Sequence, residues 1–259
     1  MSNTNKRRES PLFDPASDKP FRVSRTKIDL FLRCPFCFYV NQRHGAKVPG
    51  GPPFGLNIRI DTLLKKDADV LRSQQKINPR TQKFGVNAIP FNHPNIKQWL
   101  DVFNNVGLEY LHTPTNLIIF GAPDDIWLVD NVNLSVVDIK ATHSNKPIEE
   151  SYFWEENKRQ VELYSWLLTQ QGLTYPVSNK SYFVRINTDK EQDSFDDNCL
   201  KFKDEVIPHT GDHAWIDPTL IALKACLMQK GLPAPSKDCG YCQYRTKVAK
   251  IEKNKKDQV

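Results

Sequence analysis

The stretch Leu134-Ser-Val-Val-Asp-Ile-Lys140, read with Leu117-Ile-Ile-Phe-Gly-Ala-Pro-Asp-Asp125, decides how the rest of the chain is understood. Two apolar runs, 117–120 and 134–137, have the length and β-branched content of buried strands. Each ends in charge where a core strand should carry none. Gly121-Ala122-Pro123 delivers Asp124 and Asp125, and the second run closes on Asp138-Ile139-Lys140. Strand side chains alternate faces, so Asp138 and Lys140 point the same way, about 7 Å apart along the strand. Asp138 follows Asp124 by 14 positions, the span of one hairpin, so both acids can converge at one end of a sheet. Asp125 takes the place of Asp124 if the register slips by one at Pro123. Two carboxylates and an ammonium at the edge of an apolar sheet are costly unless a cation uses them. Asp-x-Lys alone is also the pattern of a plain surface ion pair.

Working outward, residues 155–171 read as a long helix with Val161, Leu163, Tyr164, Trp166 and Leu167 on its buried side. Gln160 and Tyr164, four apart, share a face of it. A helix over 56–71 precedes the strands, with Leu56, Ile60, Leu63, Leu64, Val70 and Leu71 as its apolar stripe and Asp61 beside it. Ser24 caps a first helix that runs to Arg33-Cys-Pro-Phe-Cys-Phe-Tyr39. A short helix is expected over 96–103, a loop carrying Glu149 and Glu150 over 146–154, and a strand over 181–186. An edge strand is expected over 199–203, its lysines discouraging edge pairing, and a last helix over 215–228. Helices against a mixed central sheet give an α/β class.

The order of these parts resembles the RecB-like branch of the PD-(D/E)XK nucleases, which includes CRISPR-associated RecB-type exonucleases. The resemblance runs over residues 24–244. It is carried by Gly-x-x-Asp after one strand, apolar-apolar-Asp138-x-Lys140 after the next, Gln160-Val-Glu-Leu-Tyr164, and Cys34-Pro-Phe-Cys-Phe-Tyr39. It implies a restriction-endonuclease-like core, a mixed sheet flanked by helices. It also implies a divalent-metal-dependent nuclease that hydrolyses DNA, directed to single strands or ends. Mg²⁺ or Mn²⁺ would be held by Asp124, Asp138 and the backbone carbonyl of Ile139, with Asp61 completing the set; such hard cations take oxygen donors. Lys140 would sit beside the attacking water, and Gln160 and Tyr164 would face the site. One departure is visible: Gly55 is followed four residues on by Arg59, where the family has a histidine. Asp61 then either fills that place or pairs with Lys65 at i, i+4.

Six cysteines include two Cys-x-x-Cys pairs, Cys34/Cys37 and Cys239/Cys242, near opposite ends of the chain. Such pairs can close one four-thiolate site, and the spacing alone leans to zinc. The resemblance leans to a [4Fe-4S] cluster, although the third C-terminal cysteine of that pattern is absent and Cys37 would replace it. Either metal would join the first helix to the C-terminal segment. Cys226 lies in an apolar helical pattern and reads as a small core residue.

The 259 residues carry 36 Lys and Arg against 30 Asp and Glu, a formal charge of +6 that suits a polyanionic partner without demanding one. No apolar run approaches the ~20 residues of a membrane span. The first residues are basic with no apolar h-region, so an intracellular location is expected. The organisation expected is a mobile tail over 1–20, one nuclease-like domain over 21–244 and a basic solvated tail over 245–259. Two other functions share this pattern: a catalytically silent nucleic-acid binder of the same fold, and a protein-interaction subunit with a structural four-cysteine site.

Overall fold

The computed structural model describes residues 11–51, 54–101, 106–144, 155–195 and 198–256, with Lys255 and Lys256 described by backbone only. β1 (Phe21–Ser24) leads into α1 (Arg25–Arg33) and α2 (Pro35–His44). α3 (Gly55–Gln74), α4 (Pro79–Gln82), β2 (Ala88–Pro90), α5 (Ile96–Trp99) and β3 (Leu108–His112) follow. Next come β4 (Leu117–Gly121), β5 (Asp125–Val129), β6 (Asn133–Thr142) and α6 (Glu155–Thr169). The chain ends with β7 (Lys180–Thr188), β8 (Phe202–Thr210), α7 (Ile216–Met228) and α8 (Gly240–Lys256). It divides into two compact units. One takes in Met1–Gly50, His112–Leu117 and Asp217–Val259; the other takes in Gly51–Leu111 and Ile118–Ile216.

The second unit is the mixed α/β layer structure. Its five-stranded sheet runs β2-β5-β6-β7-β8. β6 and β7 are parallel and the other pairs antiparallel. A parallel pair needs a crossover, and α6 lies within it. The β5–β6 hairpin turns on Asp130 and Asn131, at φ 50° and 57°. Asp and Asn tolerate this left-handed region better than most side chains, as hairpin turns of this hand require. The Val132 amide closes the turn on the Val129 carbonyl at 2.9 Å.

α3 packs on the face of β6 that carries Val137 and Ile139. Its Ile60 and Leu64 join Trp127, Val137, Tyr182, Val184, Ile186 and Val206 there. α6 packs against β6 and β7 with Val161, Leu163, Leu167 and Leu168 fully buried. Burial of each such side chain contributes about 1.5–3 kcal/mol.

Several sequence expectations shift. The run Ile126-Trp127-Leu128-Val129 lies in the interior strand β5, which the sequence reading passed over as connection. The α3 stripe is rotated, leaving Leu56, Leu63 and Val70 exposed. The reason is a line of charged residues, Asp61, Lys65 and Arg72 with the small Ala68 between the last two, that takes the inward side together with Ile60 and Leu64. The edge strand expected over 199–203 lies further on, at Phe202–Thr210, where Val206 is buried. Lys203 on it is exposed and pairs with Asp189 and Glu191. Of the 96–103 helix, Ile96–Trp99 is formed and Phe103 lies outside the described residues, as does the loop with Glu149 and Glu150.

The first unit holds α1, α2, α8 and most of α7. Pro35 opens α2 at a position where its missing amide costs nothing, and Gly45 at φ 71° ends it. Phe13, within the stretch expected to be mobile, is buried: its amide donates to the Gln42 carbonyl at 2.8 Å and its ring meets Phe21 edge-on. The basic end expected as a solvated tail is helical to Lys256, with Lys247, Lys250 and Lys253 exposed on α8. Cys226 is buried, as expected. Among the described residues no helix is long and apolar enough to cross a membrane.

Candidate active site and four-cysteine centre

The strand end carrying Asp138 and Lys140 is built by a ladder that stops one residue short of Asp124. Asp125 pairs with Val137, and the next free amide, Ile139 N–H, is taken by Asp124 Oδ2 at 2.8 Å. The side chain of Asp124 thus completes the ladder and is fixed beside Asp138-Ile139-Lys140. The structure joins Ile139 to the acids through its N–H; the carbonyl named as a metal donor is not part of that bond.

Asp138 is fully buried, and its two oxygens are separately engaged. Oδ1 accepts from Gln160 Nε2 at 2.7 Å, and Oδ2 meets Lys140 Nζ at 2.7 Å. Lys140 Nζ also donates to Gln160 Oε1 at 3.5 Å. Three side chains from β6 and α6 therefore close a ring, with the lysine about 29% exposed at its open side. Gln160 can donate to the acid and accept from the ammonium at once, which a carboxylate or a second lysine could not.

Asp124 Oδ1 faces α3, where Lys65 Nζ stands 2.8 Å away and also reaches Asp61 Oδ2 at 3.0 Å. Burial raises the Asp61 carboxyl above its ordinary range, aided by the charge of Asp124 and opposed by Lys65 and Lys140. Burial alone would pull the Lys65 ammonium down, but the charges of Asp124 and Asp61 hold it above its ordinary value. Of the two alternatives read from the sequence, the pairing of Asp61 with Lys65 is present, and Asp61 is also near enough to Asp124 to feel its charge.

Asp125 does not replace Asp124. It is buried against the Arg72 guanidinium, and accepts from its neighbour Ile126 N at 2.8 Å and from Trp127 Nε1 at 3.1 Å. Burial lifts its carboxyl to about 6, against the pull of Arg72. The adjacent acids are therefore split between two cations seven residues apart on α3. Lys65 and Arg72 were missed by sequence reasoning as parts of this arrangement; the 61-65-68-72 spacing was the available signal. Also missed was Arg185, fully buried on β7 directly across from Lys140. It donates toward Glu205 at 3.2 Å and toward the Ser144 carbonyl at 3.4 Å.

Tyr164 explains Gly121. A Cβ on Gly121 would lie 2.3 Å from Tyr164 Cε1, so the bare Cα is what lets the ring seat one turn beyond Gln160. Behind it, Gly107 at φ 85° leaves no room either, since its Cβ would meet the Gly121 carbonyl oxygen at 2.5 Å. Gly121→Ala should accordingly destabilise the chain by about 2–3 kcal/mol, the range of overpacked cores. Urea unfolding checks this; a variant with an unchanged midpoint would mean the ring is free to move.

The donor set of Asp61, Asp124 and Asp138 is all hard oxygen, which fits Mg²⁺ or Mn²⁺. One oxygen each of Asp61 and Asp124 is turned to Lys65, and one of Asp138 to Lys140. Among the described residues, the only set of three or more His, Cys, Asp or Glu with ligand atoms all within 4.8 Å is that of the cysteines.

That set is Cys34, Cys37, Cys239 and Cys242, all buried. Cys37 Sγ lies 3.5 Å from Cys242 and 3.6 Å from Cys239, and Cys34 lies 3.8 Å from Cys242. A tetrahedron of thiolates around one ion with bonds of about 2.3 Å has edges of about 3.8 Å. Burial would raise the Cys34 thiol, but backbone N–H groups of Cys37 and Ser236 and the neighbouring thiols bring it down to about 7. Burial pushes the Cys242 thiol up to about 11 and the Cys37 thiol higher still. As thiolates, four sulfurs suit a soft or borderline metal and not Mg²⁺.

The family model "PD-(D/E)XK nuclease superfamily" matches residues 59–246. Among solved structures, the crystal structure of an alkaline exonuclease (LHK-Exo) from Laribacter hongkongensis is similar, with a TM-score of 0.38 and 12% identity. The match covers 92% of this chain and 95% of that one. No curated protein matches the chain.

Proposed function

From the chain's membership of the PD-(D/E)XK nuclease superfamily, which the match over residues 59–246 establishes, we propose that it is a divalent-metal-dependent nuclease of the RecB-like branch, hydrolysing DNA at single strands or ends. The observation that carries this reading is the ring of Asp138, Lys140 and Gln160 set against Asp124 on the neighbouring strand end.

Asp124 and Asp138, with Asp61 and the Ile139 backbone, are the residues that would hold Mg²⁺ or Mn²⁺. When bound, such an ion supplies Lewis-acid stabilisation of phosphoryl oxygens and acidifies a water ligand. Lys140, tethered by Asp138 and Gln160, presents its ammonium at the open side of the ring. There it can hold the attacking water in line or offset charge on the phosphate. Gln160 fixes the lysine's direction, and the Tyr164 ring seated on Gly121 fixes the helix that carries Gln160. The four cysteines lie in the other compact unit and take no chemical part. We favour one structural zinc ion over a [4Fe-4S] cluster because three of their sulfur separations, 3.8, 3.6 and 3.5 Å, come close to the edges of a single-ion tetrahedron.

The test is cleavage of end-labelled single- and double-stranded oligonucleotides with Mg²⁺, Mn²⁺ or EDTA. Cleavage that depends on the cation is the expected result. Salt-sensitive binding with no cleavage would assign the silent-binder reading, which the Arg59 departure favours. Neither binding nor cleavage would leave an interaction subunit.

A further inference from the structure

The sequence pattern gave Lys65 no role beyond an ion pair, yet its ammonium stands between two carboxylates of the candidate metal set. It is 3.0 Å from Asp61 and 2.8 Å from Asp124. We propose that Lys65 is a displaceable counter-ion: it balances Asp61 and Asp124 while the site is free, and moves to the substrate phosphate when a divalent cation takes those carboxylates. The inference rests on the metal-dependent reading of the same site.

Three arguments support it. The first is exclusion. A divalent cation bound to carboxylate oxygens at about 2.0–2.2 Å would have to share the gap that the ammonium fills, which two like charges cannot do. The second is reach. Lys65 is partly exposed at 27%, on a flexible four-carbon stem, whereas Arg72, two turns on, is locked at 6% against Asp125. Of the two α3 cations facing the consecutive acids, only Lys65 has room to swing. The third is charge. Three carboxylates (Asp61, Asp124 and Asp138) against two ammonium groups (Lys65 and Lys140) leave one negative charge. A divalent cation turns that to one positive, and a single phosphodiester then brings the whole to neutrality. The site is thus balanced for ion and phosphate together and for neither alone. The geometry around Lys140 differs: its partner Asp138 is fully buried and clamped by Gln160, so Lys140 holds its place while Lys65 changes partners.

The experiment compares the parent with Lys65→Met and Lys65→Arg in two titrations. Thermal melts confirm that each variant is folded. In the first, Mn²⁺ alone is titrated into the nucleic-acid-free protein and free Mn²⁺ is read by electron paramagnetic resonance. Lys65→Met should bind Mn²⁺ about tenfold more tightly, the effect of removing a partly exposed competing charge, and Lys65→Arg should stay near the parent. In the second, anisotropy of a labelled oligonucleotide is followed with Ca²⁺ in place of Mn²⁺, the strand being checked for integrity. Lys65→Met should bind it about three- to tenfold more weakly, the loss of one phosphate contact. Opposite signs in the two titrations are the signature.

Equal Mn²⁺ affinity in parent and Lys65→Met overturns the proposal and leaves the metal site standing. So does unchanged oligonucleotide affinity, which would make Lys65 a fixed structural ion pair. A parent that binds no Mn²⁺ at its carboxylates overturns the metal-dependent reading itself.

Discussion

Asp138→Asn is expected to lower cleavage by about 10³-fold or more while leaving the fold intact, and Lys140→Ala by about 10²–10³-fold. Asparagine is the informative replacement. Asp138 is fully buried, with one oxygen on Gln160 and the other on Lys140. Alanine there would strand two polar partners in the interior and confuse a folding defect with a chemical one. Asparagine keeps the shape and one acceptor, and removes the charge on which both a hard cation and Lys140 depend. Lys140 is partly exposed, so its truncation leaves no comparable void. Rates on a labelled oligonucleotide, with urea midpoints measured beside them, check the pair. An Asp138→Asn variant that cleaves within a few fold of the parent would remove this strand end from the chemistry.

The second large effect is expected at the cysteines. Cys37 touches both Cys239 and Cys242, so Cys37→Ser should abolish stoichiometric metal and lower the stability of its unit by several kcal/mol. The argument is one of span. The site joins residues more than 200 positions apart in sequence, and closure of so long a loop is what a metal clip offsets most in principle. It also draws α2 to the start of α8, where the Arg245 guanidinium lies 4.2 Å over the Phe36 ring. Metal analysis and thermal unfolding, with and without a strong chelator, provide the reading. A colourless protein that releases zinc would assign the single ion, while visible charge-transfer absorption would assign a cluster. If the variant melts with the parent and the chelator changes nothing, the four thiols are only a buried apolar cluster.

Much of the α/β plan and the shared face of Asp138 and Lys140 were legible because strand alternation is strict, whereas the run 117–120 read beside them lies in a separate sheet, β1-β4-β3. Once 134–137 is a strand, Asp138 and Lys140 must share a face, and α6 must offer Gln160 and Tyr164 together. What was not legible depended on long-range choices. Asp124 and Asp125 are chemically identical, and only the stop of the β5–β6 ladder, with α3 offering Lys65 to one and Arg72 to the other, separates them. The α3 stripe was misjudged because apolar residues occupy two adjacent faces and the sequence does not say which face a polar line will claim. β5 was passed over because four apolar residues directly after a proline and two acids, and before Asp130, are too few to announce a strand. The four-thiolate site was plain from the pairing of Cys-x-x-Cys motifs, since no other arrangement of those side chains is as economical; its metal was not, because spacing does not fix sulfur separations.

The mixed pairing of β6 carries one more consequence, for the order in which the molecule is made. On its β5 side the strand is joined by a tight local turn, a type of closure that takes about 1–10 μs. On its β7 side it waits for the whole α6 excursion, a distant closure that slows folding. In a refolding chain Asp124 and Asp138 therefore become neighbours early, and the glutamine that holds Asp138 arrives late. Pulse-labelled amide exchange should resolve the two events, as early protection at Ile139 and later protection along the β6–β7 pairing.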